Sequence, residues 1–169
     1  MKKRLASLTL IGMLMVSGMA YADEYDIKTE DVQSAVFELQ DNTRARAQLV
    51  DWLHGQVGKP YVWGATGTDY QSYDCSSLVQ IAYRIMGIEL PRVSYMQARE
   101  GIEISLEDIE PGDVVCFVTS SRNNGDVTHV GVYVGDGHFI HAKSSKYGVV
   151  KQLLSDYYHT LVSIRRIMN

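Results

Sequence analysis

The run Val127-Thr128-His129-Val130-Gly131-Val132-Tyr133-Val134, turned back by Gly135-Asp136-Gly137 into His138-Phe139-Ile140-His141-Ala142, constrains this chain more than any other feature. Apolar and β-branched residues at most positions predict a largely buried strand, and the glycine-flanked break predicts an antiparallel return. Side chains alternate between the two faces of a sheet, so the length of the turn decides which residues share a face. A two-residue loop, Asp136-Gly137, pairs Gly135 with His138 and separates His129 from His141. A three-residue loop, Gly135-Asp136-Gly137, pairs Val134 with His138 and places both histidines on one face. If the two imidazoles are to meet, the turn must be the longer one, with Gly137 at the left-handed bulge position.

Upstream the periodicity is helical. Leu49, Val50 and Leu53 predict a helix from Arg44 to about His54, with Thr43 as its N-cap. Leu78, Val79, Ala82, Ile85 and Met86 predict a second helix over Cys75–Met86, capped by Asp74 and closed by Gly87. A short helix is expected over Ser94–Glu100. Further strands are expected at 114–118, at Gly148-Val149-Val150 and over Leu161–Arg166. Helices first and antiparallel strands afterwards point to α+β, with the N-terminal helices packed on one face of a small sheet.

The first residues read as an export address. Lys2, Lys3 and Arg4 precede an apolar stretch from Leu5 to Met19, and Ala20-Tyr21-Ala22 fits a small-residue cleavage site. Residues 1–22 are therefore expected to be removed and the protein to reach the periplasm, or the cell wall or exterior, without stable membrane insertion. Residues 23–43 form an N-terminal extension and 44–169 one domain with a real core. Cleavage leaves 13 basic against 20 acidic residues, a balance of −7. That argues against a nucleic-acid partner and against adhesion to polyanionic wall polymers. A monomer is expected.

The chemistry centres on Cys75, which opens a helix beside an acid and two serines. A thiol attacks only as thiolate, and a helix N-terminus and a nearby imidazole both favour that form. His129 is the candidate base and His141 the candidate orienting residue, with His138 and Asp136 as alternatives at the turn. Tyr61 is a candidate oxyanion donor beside the Cys75 N–H, and Trp63 is expected in the core. Asp74, Ser76 and Ser77 either cap the helix or face a substrate groove. Arg92 is either a solvated residue or a receptor for a substrate carboxylate. The bland reading of two cysteines in an exported chain is a Cys75–Cys116 disulfide. Against it, Cys116 lies within an apolar strand, where cysteine acts as a small hydrophobe. No metal or organic cofactor is required.

Six linked segments carry a resemblance: Pro60-Tyr61-Val62-Trp63-Gly64, Asp74-Cys75-Ser76-Ser77-Leu78-Val79, Leu90-Pro91-Arg92-Val93-Ser94 with Gln97, Pro111-Gly112-Asp113-Val114-Val115, Thr128-His129-Val130-Gly131-Val132-Tyr133 and Phe139-Ile140-His141-Ala142. In their order and spacing the chain resembles the NlpC-type family of papain-like cell-wall cysteine peptidases. The resemblance implies a compact papain-like α+β fold and hydrolysis of amide bonds in peptidoglycan stem peptides, either the D-γ-glutamyl–diaminopimelate bond or the diaminopimelate cross-link. It implies Cys75 as nucleophile, His129 as base, His141 as orienting residue, and Tyr61 near the thiol. It also implies Asp74, with Ser76 or Ser77, at the substrate's N-terminal end. The chain departs from the family pattern at Ser77 and at Ala65, each where glycine is usual. Rival classes are a non-catalytic muropeptide binder and an amidase or acyltransferase of the same fold.

Overall fold

A computed structural model describes residues 29–120 and 126–168. The expected export signal lies outside the described residues. The chain divides into two units, one up to Thr43 and one from Arg44 onward.

Helix α1 runs Thr29–His54. It begins well before the start expected from Thr43, which is not an N-cap. No glycine or proline interrupts residues 29–54, and the Thr43 hydroxyl donates to the Leu39 carbonyl at 2.8 Å, satisfied inside the helix. Glu30 and Asp31 suit the positive end of the helix dipole. Within the second unit, Leu49 and Leu53 are fully buried in the main core.

Helix α2 spans Cys75–Ile85 and is set by its cap. Asp74 accepts from the Ser77 N–H while the Ser77 hydroxyl accepts from the Asp74 N–H, a reciprocal box that satisfies two otherwise orphaned donors. Its face of Leu78, Val79 and Ala82 packs into the main core. After it come the single-turn helix α3 (Ser94–Gln97), shorter than expected, and six strands: β1 (Ile102–Glu103), β2 (Val114–Phe117), β3 (His129–Gly135), β4 (His138–Ser144), β5 (Gly148–Leu153) and β6 (Leu161–Arg166). They form one antiparallel sheet in the order β1-β6-β2-β3-β4-β5, and α2 lies on β3 and β4. The fold is the α+β class expected; β1, two residues long, gave no signal in the sequence.

Strand alternation divides the sheet into two apolar layers. Cys116, Val130, Val132, Ile140 and Ala142 face the helices. Val115, Phe117, Phe139 and Ile164 pack on the opposite side with Leu154 and Tyr157, which belong to a 3-10 turn at Leu154–Tyr157. His129 and His141 alternate onto this second side.

The hairpin between β3 and β4 reaches the required register by a different route from the one expected. Gly135 pairs with His138 across a two-residue turn, Asp136-Gly137, whose residues have φ of 51° and 71°. Positive φ at both positions is the type I′ geometry that an Asp-Gly pair favours. A bulge between Tyr133 and Gly135 then absorbs the extra residue within β3, with Gly135 at φ 93°. Beyond it Tyr133 pairs with Phe139 and Val132 with Ile140, as a three-residue turn would have placed them. Gly131, opposite this stretch, lets the strands close up: a Cβ there would lie 2.9 Å from the Ile140 carbonyl oxygen and 3.0 Å from the His141 Cβ.

The entry to β2 is tied down by charge. The Asp113 carboxylate, fully buried, accepts from Arg166 at 3.0 and 2.8 Å, from Arg46 at 3.3 Å and from the Glu110 N–H at 2.8 Å.

Candidate active site

A groove of about 690 Å³ opens where the helix layer meets the start of β3. Helix α2 and its flanking loops contribute Tyr61, Trp63, Gly64, Asp74, Cys75, Ser76 and Arg92. The strands and their connections contribute Thr119, Thr128, His129 and Lys143. Trp63, expected in the core, is 84% exposed at the rim.

Cys75 is the first residue of α2, so its sulfur sits at the positive end of a helix. Backbone N–H groups of Val130, Ser76 and Cys75 itself favour the thiolate, but burial, assisted by the Asp74 charge, outweighs them and pushes the thiol up. Burial pushes His129 down to about 4, helped by the charge of Lys143. It pushes His141 down to about 3, helped by His129 and Lys143. In the resting groove the thiol and both imidazoles are neutral.

The neutral imidazoles form a directed relay. His129 Nε2 lies 2.6 Å from His141 Nδ1, and His141 Nε2 lies 3.0 Å from Gln152 Oε1. The Tyr157 hydroxyl donates to the same Gln152 oxygen at 2.7 Å. An amide oxygen only accepts, so His141 carries its proton on Nε2 and offers Nδ1 as acceptor. His129 must then donate from Nε2, which leaves Nδ1 as a free lone pair, the state a base needs.

Asp74 is the hub of the other wall. Its two oxygens take five donors: the Ser77 N–H at 2.8 Å, Ser76 Oγ at 3.3 Å, the Gly64 N–H at 3.1 Å, and Arg92 at 3.0 and 2.5 Å. Burial opposes its ionisation, but Arg92 and Ser77 more than offset it and hold the carboxyl below its ordinary range. A substrate ammonium approaching Asp74 must displace one of these donors. Arg92 also donates to Ser76 Oγ and the Ala65 carbonyl, both at 2.8 Å. Its terminal nitrogens are therefore engaged within the protein, and a substrate carboxylate would reach Arg92 only in competition with these acceptors. Of the two serines, Ser76 lines the groove and Ser77 is fully buried as the capping residue.

Tyr61 meets Tyr73 in an isolated bridge and lines the groove beside Cys75. Burial first, then the charges of Cys75 and Asp74, raise its phenol to about 12, so it remains a donor at neutral pH. Cys75 and Cys116 are both free thiols, and Cys116 sits buried in β2 beside Ser163. The two cysteines are not joined, although both border the helix-side core. Among the described residues no group of His, Cys, Asp or Glu is arranged to hold a metal ion.

Residues missed in the sequence are Gln152, Tyr157 and Lys143. Extending the strand-pairing argument to β5 would have found Gln152: His141 pairs with Val150, and Gln152 is the next residue on that face.

Neutral buried histidines make stability depend on pH. An unfolded histidine binds its proton near 6.5, whereas folded His129 resists it until about 4. The stability is fully present above 6.5 and is lost as pH falls through that window, because the unfolded chain then holds more protons. Urea unfolding is expected to show a loss of roughly 2–3 kcal/mol from this histidine between pH 6.5 and 4. A His129→Gln variant should show a shallower fall over the same range; an identical slope would remove His129 from the effect.

The pattern of the NlpC/P60 family matches residues 58–166. A protein of Corynebacterium glutamicum (strain R) described as a probable endopeptidase is 36% identical over 126 residues, which cover 75% of this chain and 54% of that protein. A gamma-D-glutamyl-L-lysine dipeptidyl-peptidase of Bacillus cereus is 36% identical over 107 residues, covering 63% of this chain and 31% of that one. Among solved structures, NlpC2 from Trichomonas vaginalis superposes with a TM-score of 0.68 at 36% identity, over 74% of this chain and 47% of its own. The chain thus spans about half the length of such relatives, or less.

Proposed function

The chain belongs to the NlpC/P60 family, and on that footing we propose that it is an exported cysteine peptidase that hydrolyses the D-γ-glutamyl bond of peptidoglycan stem peptides. The observation that carries the reading is the relay His129–His141–Gln152 behind a groove that also contains Cys75. Export rests on the pattern of residues 1–22. Among the described residues no helix is long and apolar enough to cross a membrane.

The chemistry follows from the proton inventory. The Cys75 thiol gives its proton to His129 Nδ1 as its sulfur bonds to the scissile carbonyl carbon, and the Cys75 N–H and Tyr61 hydroxyl hold the resulting oxyanion. His129 passes that proton to the departing amine as the C–N bond breaks, leaving a thioester. A water then gives a proton to His129 and attacks the thioester, and the thiolate leaves and is reprotonated. At each stage His141 keeps the imidazole in one tautomer and orientation. Asp74 shapes the opposite wall through Gly64 and Arg92.

Incubating the protein with purified sacculi and identifying fragments by mass spectrometry tests this directly. Products ending in γ-D-glutamate, paired with fragments bearing a new diaminopimelate amine, are expected. Absence of any peptide release would sink the peptidase reading, and release only of cross-link products would move the scissile bond.

Gln152 gives a second test. Gln152→Leu leaves the His141 N–H without an acceptor and frees its tautomer, so kcat should fall by about 10- to 100-fold, with a smaller change in KM. Gln152→Glu keeps an acceptor and should recover much of the loss, while its charge moves the acid limb of the pH–rate profile upward. A Leu variant with wild-type kcat would take Gln152 out of the relay.

A further inference from the structure

The two cationic positions in the groove differ in what they face. Arg92 is consumed by Asp74, Ser76 and Ala65. Lys143, on β4 two residues beyond His141, lines the groove and has no carboxylate partner among the described residues. Its ammonium lies 4.6 Å from the Tyr147 ring centroid and 5.9 Å from that of Tyr157, contacts that hold it in place without neutralising it. Lys146 shares the Tyr147 ring at 5.1 Å and adds a second positive charge. In a chain of net charge −4, this end of the groove is locally positive.

Its position decides what the charge meets. The departing amine must take its proton from His129, so the leaving part of the substrate lies on the His129 side. Among the lining residues, Lys143 is close enough for its charge to act on His129, and Thr128 precedes His129 and accepts from the Thr119 N–H at 2.8 Å, whereas Asp74, Ser76 and Arg92 form a separate hydrogen-bonded cluster at the start of α2. We propose that Lys143 forms a leaving-side subsite that selects a departing residue whose side chain ends in a free carboxylate over one whose side-chain carboxyl is amidated or that ends in an ammonium alone. This rests on the peptidase reading and adds the chemistry of one end of its substrate: diaminopimelate with its side-chain carboxylate free fits, amidated diaminopimelate fits less well, and lysine is repelled. The discrimination belongs to this chain's own Lys143 and is expected even though a relative is described by its action at an L-lysine linkage.

Three peptides test it, each with its main-chain carboxyl capped as an amide: L-Ala-γ-D-Glu followed by meso-diaminopimelate, by its side-chain amide, or by L-lysine. Their affinities are measured by calorimetry on Cys75→Ala protein, with and without Lys143→Gln, and their kcat/KM on protein with Cys75 intact. The free-carboxylate peptide should bind about fivefold or more tightly than the amide, a preference lost in Lys143→Gln, and Lys143→Glu should shift preference toward the lysine peptide. Equal affinities for acid and amide, or a preference unchanged in Lys143→Gln, would overturn the subsite. Because binding is read without turnover, carboxylate preference without cleavage would uphold the subsite and reject the peptidase reading. Cleavage without preference would do the reverse.

Discussion

Cys75→Ala is expected to lower peptide release from sacculi by at least about 10⁴-fold while the protein stays folded. In the proposed mechanism Cys75 is the one group that no neighbour replaces, and removing a nucleophile from such a constellation typically leaves only the contribution of binding and oxyanion contacts. A factor of 10⁴ corresponds to about 5.5 kcal/mol of lost transition-state stabilisation. The fold should tolerate the change because the sulfur caps no helix and bridges no second cysteine. The urea midpoint should therefore move little. Comparable release by wild type and Cys75→Ala would remove Cys75 from the mechanism, and loss of activity together with unfolding would be separated from it by Cys75→Ser, which keeps the size of the side chain.

The largest effect on stability is expected at Asp113, remote from the chemistry. Asp113→Ala deletes the common acceptor of Arg46 and Arg166 and leaves the Glu110 N–H unpaired. Breaking a buried pair from one side leaves uncompensated charge, and the loss is about 3–5 kcal/mol. That is a large fraction of the roughly 5–15 kcal/mol by which a domain of this size is stable. Glu110 lies 3.3 Å from Arg166 and takes up part of that charge, but it is half-exposed and cannot replace a buried carboxylate. Urea denaturation should show a lower midpoint at unchanged m-value. A loss below about 1 kcal/mol would mean that the arginines find other partners.

Local pattern made the core of the fold readable. The 3.6-residue repeat of Leu78, Val79 and Ala82 and the Asp74 cap placed α2 to within a residue, and β3 and β4 followed from their alternation. What escaped depends on distant partners. Thr43 looks like a cap in sequence, but nothing before it ends the helix. Either hairpin loop was open to Gly135-Asp136-Gly137, and the bulge that combines a two-residue turn with the other register is invisible until the sheet is assembled. Arg92 reads as a free cation because Asp74, 18 residues away, gives no sign that it will bind it. Gln152 and Tyr157 are unremarkable polar and aromatic positions until β5 lies beside β4.

The bulge between Tyr133 and Gly135 has a consequence for how relatives of this chain are compared. Every motif of the site survives a one-residue deletion at Val134, and an alignment would score the shortened chain as complete. In space such a deletion removes the bulge and nothing else: Gly135 still pairs with His138 and Tyr133 with Phe139, now as consecutive pairs, so His129 and His141 keep their common face. Spacing between the two histidines is thus no signature by itself: a relative one residue shorter can keep the relay on a plain two-residue turn, whereas a relative that keeps the full spacing but loses the bulge must lengthen its turn or abandon the relay.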